Sequence, residues 1–214
     1  MSDYTEEEQV ALIKEWWQRN GKPLLAGGAL ALVIVFAWQT WQKHQTTQMH
    51  NSSVLYQQLL EAVLVPSAQV DQQQVAQLLT EIKKVNADNA YAQYARLLVA
   101  KVAVDNNQLA DAALALNEVL AKPANDTLAE LARQRLARVL LAQEQAEQAL
   151  ALLDAKVLPA FAATREELRG DALVILDRPA EAKAAYQQAK QALSPEAAAG
   201  NLLMKLDNLS DKDA

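Results

Sequence analysis

Residues Pro23 to Gln42 form a run of 20 residues without a charged side chain, PLLAGGALALVIVFAWQTWQ. At about 1.5 Å of rise per residue, a helix of this length reaches roughly 30 Å, the hydrocarbon thickness of a bilayer. Lys22 and Lys43 close its two ends, and Trp38 and Trp41 stand near the second, where indoles favour the headgroup level. Gly27, Gly28, Ala29 and Ala31 suit a helix that packs in lipid. A soluble core helix would not carry Lys at both flanks and two Trp at one end. A cleaved signal peptide would need a short basic leader. Here 22 residues precede the run, with five acidic and three basic side chains, a net charge of −2. The segment is expected to be an uncleaved signal anchor.

Orientation follows from the basic residues at the two ends. Lys14, Arg19 and Lys22 precede the run, whereas Lys43 is the only Lys or Arg after it until Lys83. Acidic residues contribute little to this asymmetry, so the N-terminus is expected in the cytoplasm and residues 43–214 across the membrane. In a Gram-negative cell that makes a single-pass type II protein of the inner membrane with a periplasmic C-terminal domain. Ahead of the span, Thr5 and Glu8 fit a capping box. Val10, Ile13 and Trp17, with Trp16 beside them, then share one face of a short amphipathic helix expected to end near Asn20-Gly21. That helix suits a membrane surface or a cytosolic partner, or serves only as a stub that anchors the span. The chain therefore divides into a cytoplasmic segment (1–22), the anchor (23–42), a polar linker (43–50) and a soluble domain (51–214).

Composition removes several functions from consideration. With 26 acidic against 20 basic residues, the net charge is −6, which argues against nucleic-acid binding, since that needs a basic face. The absence of Cys excludes disulfide frameworks, thiol catalysis and cysteine-rich zinc sites. The two histidines, His44 and His50, are six residues apart, off the spacing that puts two ligands on one helix face. No glycine-rich phosphate loop occurs. Glu166, Glu167 and Asp171 form the densest acidic group of the soluble domain, which fits a solvated helix face better than a catalytic pair. No cofactor, no metal and no enzymatic activity are expected.

Only two of the five Gly lie beyond residue 50, and Ala, Leu, Gln and Glu abound there, so the soluble domain is expected to be all-α. Its helices are placed near 52–64, 71–85, 88–104, 108–121, 127–143, 146–155, 161–176, 180–192 and 195–208. Pro66, Asn86, Asn106-Asn107, Pro123-Ala124-Asn125, Pro159, Arg178-Pro179 and Ser194-Pro195 punctuate them. Small residues in the second helix of each pair then recur. Ala76, Ala112, Ala149 and Ala182 are separated by 36, 37 and 33 positions in the numbering, close to the ~34-residue tetratricopeptide period. Twelve residues before the last three stand Ala100, Ala137 and Gly170, where the first helix must approach its partner closely. Four residues after them stand Leu116, Leu153 and Tyr186, which fill the space between hairpins. On this register, Gly170→Leu is expected to force the two helices apart and to cost about 1–3 kcal/mol or more by overpacking. Gly170→Ala is expected to be mild, because Ala fills the matching place in the two preceding units. A plain helical bundle is the alternative architecture.

A membrane span followed by degenerate tetratricopeptide hairpins resembles the bacterial YfgM-like family, ancillary subunits of the SecYEG translocon. The resemblance is carried by Glu8-Gln9-Val10, Lys14, Trp16-Trp17 and Asn20-Gly21-Lys22 running into the apolar segment, then by Trp38 and Trp41. It continues in Leu168-Arg169-Gly170-Asp171-Ala172-Leu173 and in Met204-Lys205-Leu206-Asp207-Asn208-Leu209. It implies an all-α fold with one anchor and a tetratricopeptide-like α-solenoid. It also implies association with SecYEG, with a PpiD-like membrane-anchored periplasmic chaperone and with translocated client proteins. A scaffold for another cell-envelope assembly is the alternative function.

In stacks of this kind the first helices line a concave groove. The register places Tyr94, Leu97 and Lys101 there from one unit, Leu131, Gln134, Arg138 and Leu141 from the next, and Glu167, Asp171 and Val174 from the last. Tyr94 and Arg138 are the expected anchors, since a few residues usually carry most of the binding energy.

Overall fold

The computed structural model describes residues 6–65, 70–155, 158–194 and 200–210. Among them every regular element is helical. The chain forms two compact units, residues 1–48 and 49–214. Helix α1 (Glu6–Val63) makes up the described part of the first and gives its last turns to the second.

In the first unit α1 continues through positions where the sequence points to breaks. It does not end at Asn20-Gly21. Gly21 takes no positive φ, and the Trp17 indole lies over it, 3.2 Å from where a Cβ would stand. The Asn20 side chain donates to the Trp16 carbonyl at 3.1 Å instead of closing a cap. Pro23 lies inside the helix, where its missing N–H leaves one intrahelical bond unmade. Residues 43–50, expected as a linker, are helical as well. Their polar side chains bond along the helix: the Thr46 and Thr47 hydroxyls donate to the carbonyls of Gln42 and Lys43, and Gln48 meets His44 at 2.8 Å. Polarity there marks solvent exposure, not a break. Thr5 of the expected capping box, Pro66 and Pro195 lie outside the described residues. α1 is long and apolar enough to cross a membrane, and the side chains of its apolar stretch, such as Leu30, Val33, Phe36 and Trp38, are uncovered in this unit.

The second unit continues with α2 (Gln72–Asn86), α3 (Ala90–Asp105), α4 (Leu109–Ala121), α5 (Asp126–Ala142) and α6 (Ala146–Leu153). After a 3₁₀ turn at Pro159–Phe161 come α7 (Ala162–Ile175), α8 (Pro179–Ala192) and α9 (Gly200–Ser210). Asp71, Asn89 and Asn125 cap α2, α3 and α5 by accepting from backbone N–H groups at the first turn. Each helix packs against its neighbours in chain order. Leu59 meets Val75, Leu78 and Ile82 of α2 and Ala92 and Ala95 of α3. Leu97 and Ala100 meet Ala112, Leu116 and Val119 of α4, with Leu128, Ala132 and Leu136 of α5 behind them. Ala137 joins Ala149, Leu153 and Leu168. Leu173 packs with Ala182, Ala185, Tyr186 and Ala189 of α8, and Leu202 and Leu209 of α9 close the stack.

Three hairpin turns fix the register of these units. Asn107, Glu144 and Asp177 have φ of 59°, 60° and 55°. Each is the left-handed residue of a Schellman motif. The N–H groups of Gln108, Gln145 and Arg178 reach the carbonyls of Ala103, Leu140 and Leu173 at 2.8, 2.9 and 2.9 Å. Those of Asn107, Glu144 and Asp177 reach Val104, Leu141 and Val174 at 2.9, 3.1 and 3.1 Å. The three turns are separated by 37 and 33 positions, the same steps as Ala112, Ala149 and Ala182, which are all fully buried. Ala100, Ala137 and Gly170 are buried opposite them.

Two expectations from the sequence register need correction. Ala76 is exposed, and Val75, one residue earlier, faces the core. The matching step is then 37 positions, not 36. Gly170 also has no room for a methyl group. A Cβ built on it would lie 2.9 Å from Cζ of Tyr186 and closer still to Cδ1 and Cε1. Gly170→Ala is therefore not mild here.

Candidate partner-binding groove

The first helices of the three hairpins, α3, α5 and α7, supply the residues expected to line the groove. Their placements fall into four groups. Tyr94, Lys101, Arg138 and Val174 are exposed. Leu131 and Leu141 are half-buried against the core. Leu97 and Gln134, each 3% exposed, are core residues and cannot present a side chain to a groove. Leu97 completes the α3–α4–α5 cluster, and the Gln134 amide donates to Oε1 of Glu130 at 3.1 Å and to the Phe161 carbonyl at 3.2 Å. Glu167 and Asp171 are taken up by α9. Lys205 Nζ stands 2.7 Å from a carboxylate oxygen of each, with the Tyr186 ring below it, its centroid 5.6 Å away.

The Tyr186 hydroxyl donates to Asp171 at 2.8 Å. Burial first, then the neighbouring Asp171 and Glu167 carboxylates, hold its pKa far above the ordinary tyrosine value. For Lys205, burial opposes the charge, but the hydrogen bonds it donates to Asp171 and Glu167 outweigh it and raise the pKa. At the last unit these groups act as a lock for α9. Tyr94 has a neighbour too. Its ring lies 6.1 Å from that of Tyr56, which in turn lies 5.8 Å from Tyr91.

A buried polar framework stiffens the first helices. Glu130 of α5 and Arg165 of α7, each 1% exposed, form an ion pair, with Arg165 Nε 3.0 Å from Glu130 Oε1. Arg165 also donates to the carbonyls of Leu153 and Ala155, tying down the end of α6. One unit earlier, buried Gln93 does similar work. Its amide donates to the Lys122 carbonyl and accepts from the Ala124 N–H, both at 2.8 Å, holding the α4–α5 loop. Arg96 and Lys83 converge on Glu118 at 2.8 and 2.9 Å, and so join α2, α3 and α4. Every buried polar side-chain atom among the described residues has a partner, as low-dielectric burial demands.

Between α3 and α5 this framework leaves a cleft of about 340 Å³. Its floor is apolar, from Ala100, Val104, Leu109, Leu116 and Val139. Lys101, Arg135 and Arg138 stand at its edge, and among the described residues no carboxylate lines it. Lys101 pairs with Asp105 one turn along α3. Arg135 donates to the Leu97 carbonyl at 3.3 Å, which holds its guanidinium toward α3. Burial, and then the Arg138 charge, lower the pKa of Arg135. Lys101 and Arg138 are thus two expected groove residues that the structure brings to one cavity. Arg135 and Val104 were not among the expected lining residues. The signal for Arg135 was available, since it stands three residues before Arg138 and so shares its helix face. Among the described residues no group of three or more His, Asp or Glu is arranged to hold a metal ion.

Residues 14–211 match the family model of a tetratricopeptide repeat-like domain. Three curated proteins, each named ancillary SecYEG translocon subunit, are similar over most of their length. The Haemophilus influenzae protein is 30% identical over 95% of this chain and 97% of its own. The Aggregatibacter actinomycetemcomitans protein is 32% identical over 87% and 89%, and the Escherichia coli K12 protein 31% identical over 96% and 97%. No solved structure matches the chain significantly.

Proposed function

The chain belongs to the family of ancillary SecYEG translocon subunits, and from that premise we propose that it is itself a membrane-anchored, partner-binding subunit of the SecYEG translocon. The observation that carries this reading is sequence similarity over nearly the whole chain; in this chain an uncovered apolar helix and a repeat unit with an open cleft suit it. Residues 23–42 are the span and residues 1–22 face the cytoplasm. The repeat unit works in the periplasm, a direction supported by Lys14, Arg19 and Lys22 against Lys43. There it assists a PpiD-like membrane-anchored chaperone with newly translocated proteins, by binding and not by catalysis. Tyr94, Lys101, Leu131, Arg138, Leu141 and Val174 form the outer surface of its groove.

Crosslinking in intact cells, followed by purification from detergent extract, tests the partnership. Translocon subunits and a membrane-anchored periplasmic chaperone should be recovered with the chain. Recovery of a different envelope assembly in their place would overturn it. A reporter that matures only outside the cytoplasm, fused after Ala214, should be active. Activity of a cytosol-only reporter would reverse the orientation.

A further inference from the structure

The cleft between α3 and α5 combines two features that solvent satisfies poorly. Its floor is apolar, with Leu116 and Val139 buried and Val104 and Leu109 facing the opening. At its edge, Arg135 and Arg138 stand one turn apart on α5. Like charges at this spacing repel on a helix, and neither has a carboxylate partner among the described residues. Lys101 on the facing helix is already paired with Asp105. The site therefore carries two uncompensated guanidiniums beside an apolar hole. One of them is half-buried and held in place by the Leu97 carbonyl before anything binds. A guanidinium fixed in advance loses less freedom when it meets a carboxylate, and Arg forks bind carboxylates in a bidentate manner.

We propose that this cleft captures a segment of a partner protein in which an acidic residue stands next to a large apolar one. The proposal rests on the reading of the repeat unit as a partner-binding module and specifies the chemistry it selects. The apolar side chain enters the hole over Leu116 and Val139. The carboxylate lies between Arg135 and Arg138, where it relieves their repulsion. Neither half suffices alone. A purely acidic segment leaves the floor wetted, and a purely apolar one leaves two like charges partly desolvated with no counter-charge. Selection by both requirements lets a small cleft discriminate among extended chains. The cleft volume of about 340 Å³ lies at the small end of ligand sites, enough for one large side chain with its neighbour.

The full-length protein in detergent micelles provides the test. Three fluorescein-labelled peptides are titrated by anisotropy: Gly-Ser-Asp-Leu-Phe-Asp-Ser-Gly, its analogue with Asn for both Asp, and its analogue with Ala for Leu and Phe. The first should bind at least tenfold more tightly than either analogue, and more weakly as salt rises. Arg135→Gln with Arg138→Gln should abolish this preference, as should Val104→Asp at the exposed edge of the floor. The melting temperature checks that each variant is folded. Equal binding of the Asn analogue, or an unaltered preference in the folded Arg variant, would overturn the proposal. So would binding of sodium dodecanoate in place of every peptide, which would make the cleft an amphiphile site. Co-purification of wild type with the translocon is scored separately. If it succeeds while the peptides show no preference, the cleft proposal falls and the translocon reading stands. If it fails while the preference holds, the reverse applies.

Discussion

The Tyr186 ring of α8 occupies the space that a side chain on Gly170 of α7 would need. The two preceding hairpins pair Ala100 with Leu116 and Ala137 with Leu153 at the same places. There a methyl group faces a thinner branched side chain, whereas the last hairpin exchanges the methyl for a ring. Glycine on one helix and tyrosine on the other are thus one packing solution, and changing either alone breaks it. Gly170→Ala should cost about 1–3 kcal/mol by overpacking, despite the gain in helix propensity. The double variant Gly170→Ala with Tyr186→Leu should recover stability toward that of Tyr186→Leu alone. Urea unfolding of the four proteins gives the coupling. Independent, additive effects would show that the ring moves aside without cost.

Glu144 holds a left-handed conformation at the α5–α6 turn with no glycine to ease it. A side chain in this region is strained, and Glu, unlike Asn107 or Asp177, has no short polar group suited to it. Glu144→Gly should therefore stabilise the unit by about 0.5–1 kcal/mol, less the entropy that glycine adds to the unfolded chain. Asn107→Gly should give a smaller gain. Thermal unfolding monitored by circular dichroism reads both, and a loss of stability in Glu144→Gly would mean that the carboxylate has a role in the turn.

The buried pair of Glu130 and Arg165 makes the α5–α7 junction sensitive to truncation. Glu130→Ala strands a guanidinium that is 1% exposed and removes one of the two acceptors of Gln134. The expected cost is about 3–5 kcal/mol, because an uncompensated buried charge remains. Replacing both partners with Met should cost less than Glu130→Ala alone. Denaturant midpoints for the two variants decide it, and an equal or larger loss in the double variant would show that the pair contributes net stability.

The long apolar helix, the hairpin order and three of the four crossing alanines were legible in the sequence because each rests on local pattern. Apolar length marks the helix, and Ala112, Ala149 and Ala182 recur at steps of 37 and 33 positions. Gly170 was legible as a close contact, but its intolerance of Ala was not. That depends on a tyrosine whose ring direction the sequence does not give. Leu97 and Gln134 were misplaced because a groove position and a core position differ by a small rotation of α3 or α5, and a degenerate repeat does not fix that rotation. Glu130 and Arg165 were missed because nothing in their local pattern distinguishes a buried charge from a solvated one. Their pairing spans 35 positions. The turns at Asn107 and Asp177 fall where Asn106-Asn107 and Arg178-Pro179 mark breaks, but the left-handed residue of the turn between them was not legible, because Glu144 is not of a type that favours this conformation.

Glu118 on α4 gathers Arg96 from α3 and Lys83 from α2, and this junction should show itself in acid. Hydrogen bonds from Arg96 and then Lys83 pull its carboxyl pKa below the ordinary value, against the opposing effect of partial burial. A carboxyl whose folded pKa is depressed binds a proton more readily in the unfolded chain. Its contribution to stability is therefore complete above the ordinary carboxylate range and is lost as pH falls through its own lowered value. Glu118→Gln removes that contribution at all pH values. The stability gap between wild type and Glu118→Gln should be constant near neutrality and shrink as pH drops below the ordinary carboxylate value. High salt should narrow the neutral-pH gap only partly, since the Arg96 side chain is largely buried although Lys83 and Glu118 are partly exposed. Urea midpoints at stepped pH measure the gap. A gap that stays constant into strong acid would mean that Glu118 acts through its packing and not through its charge.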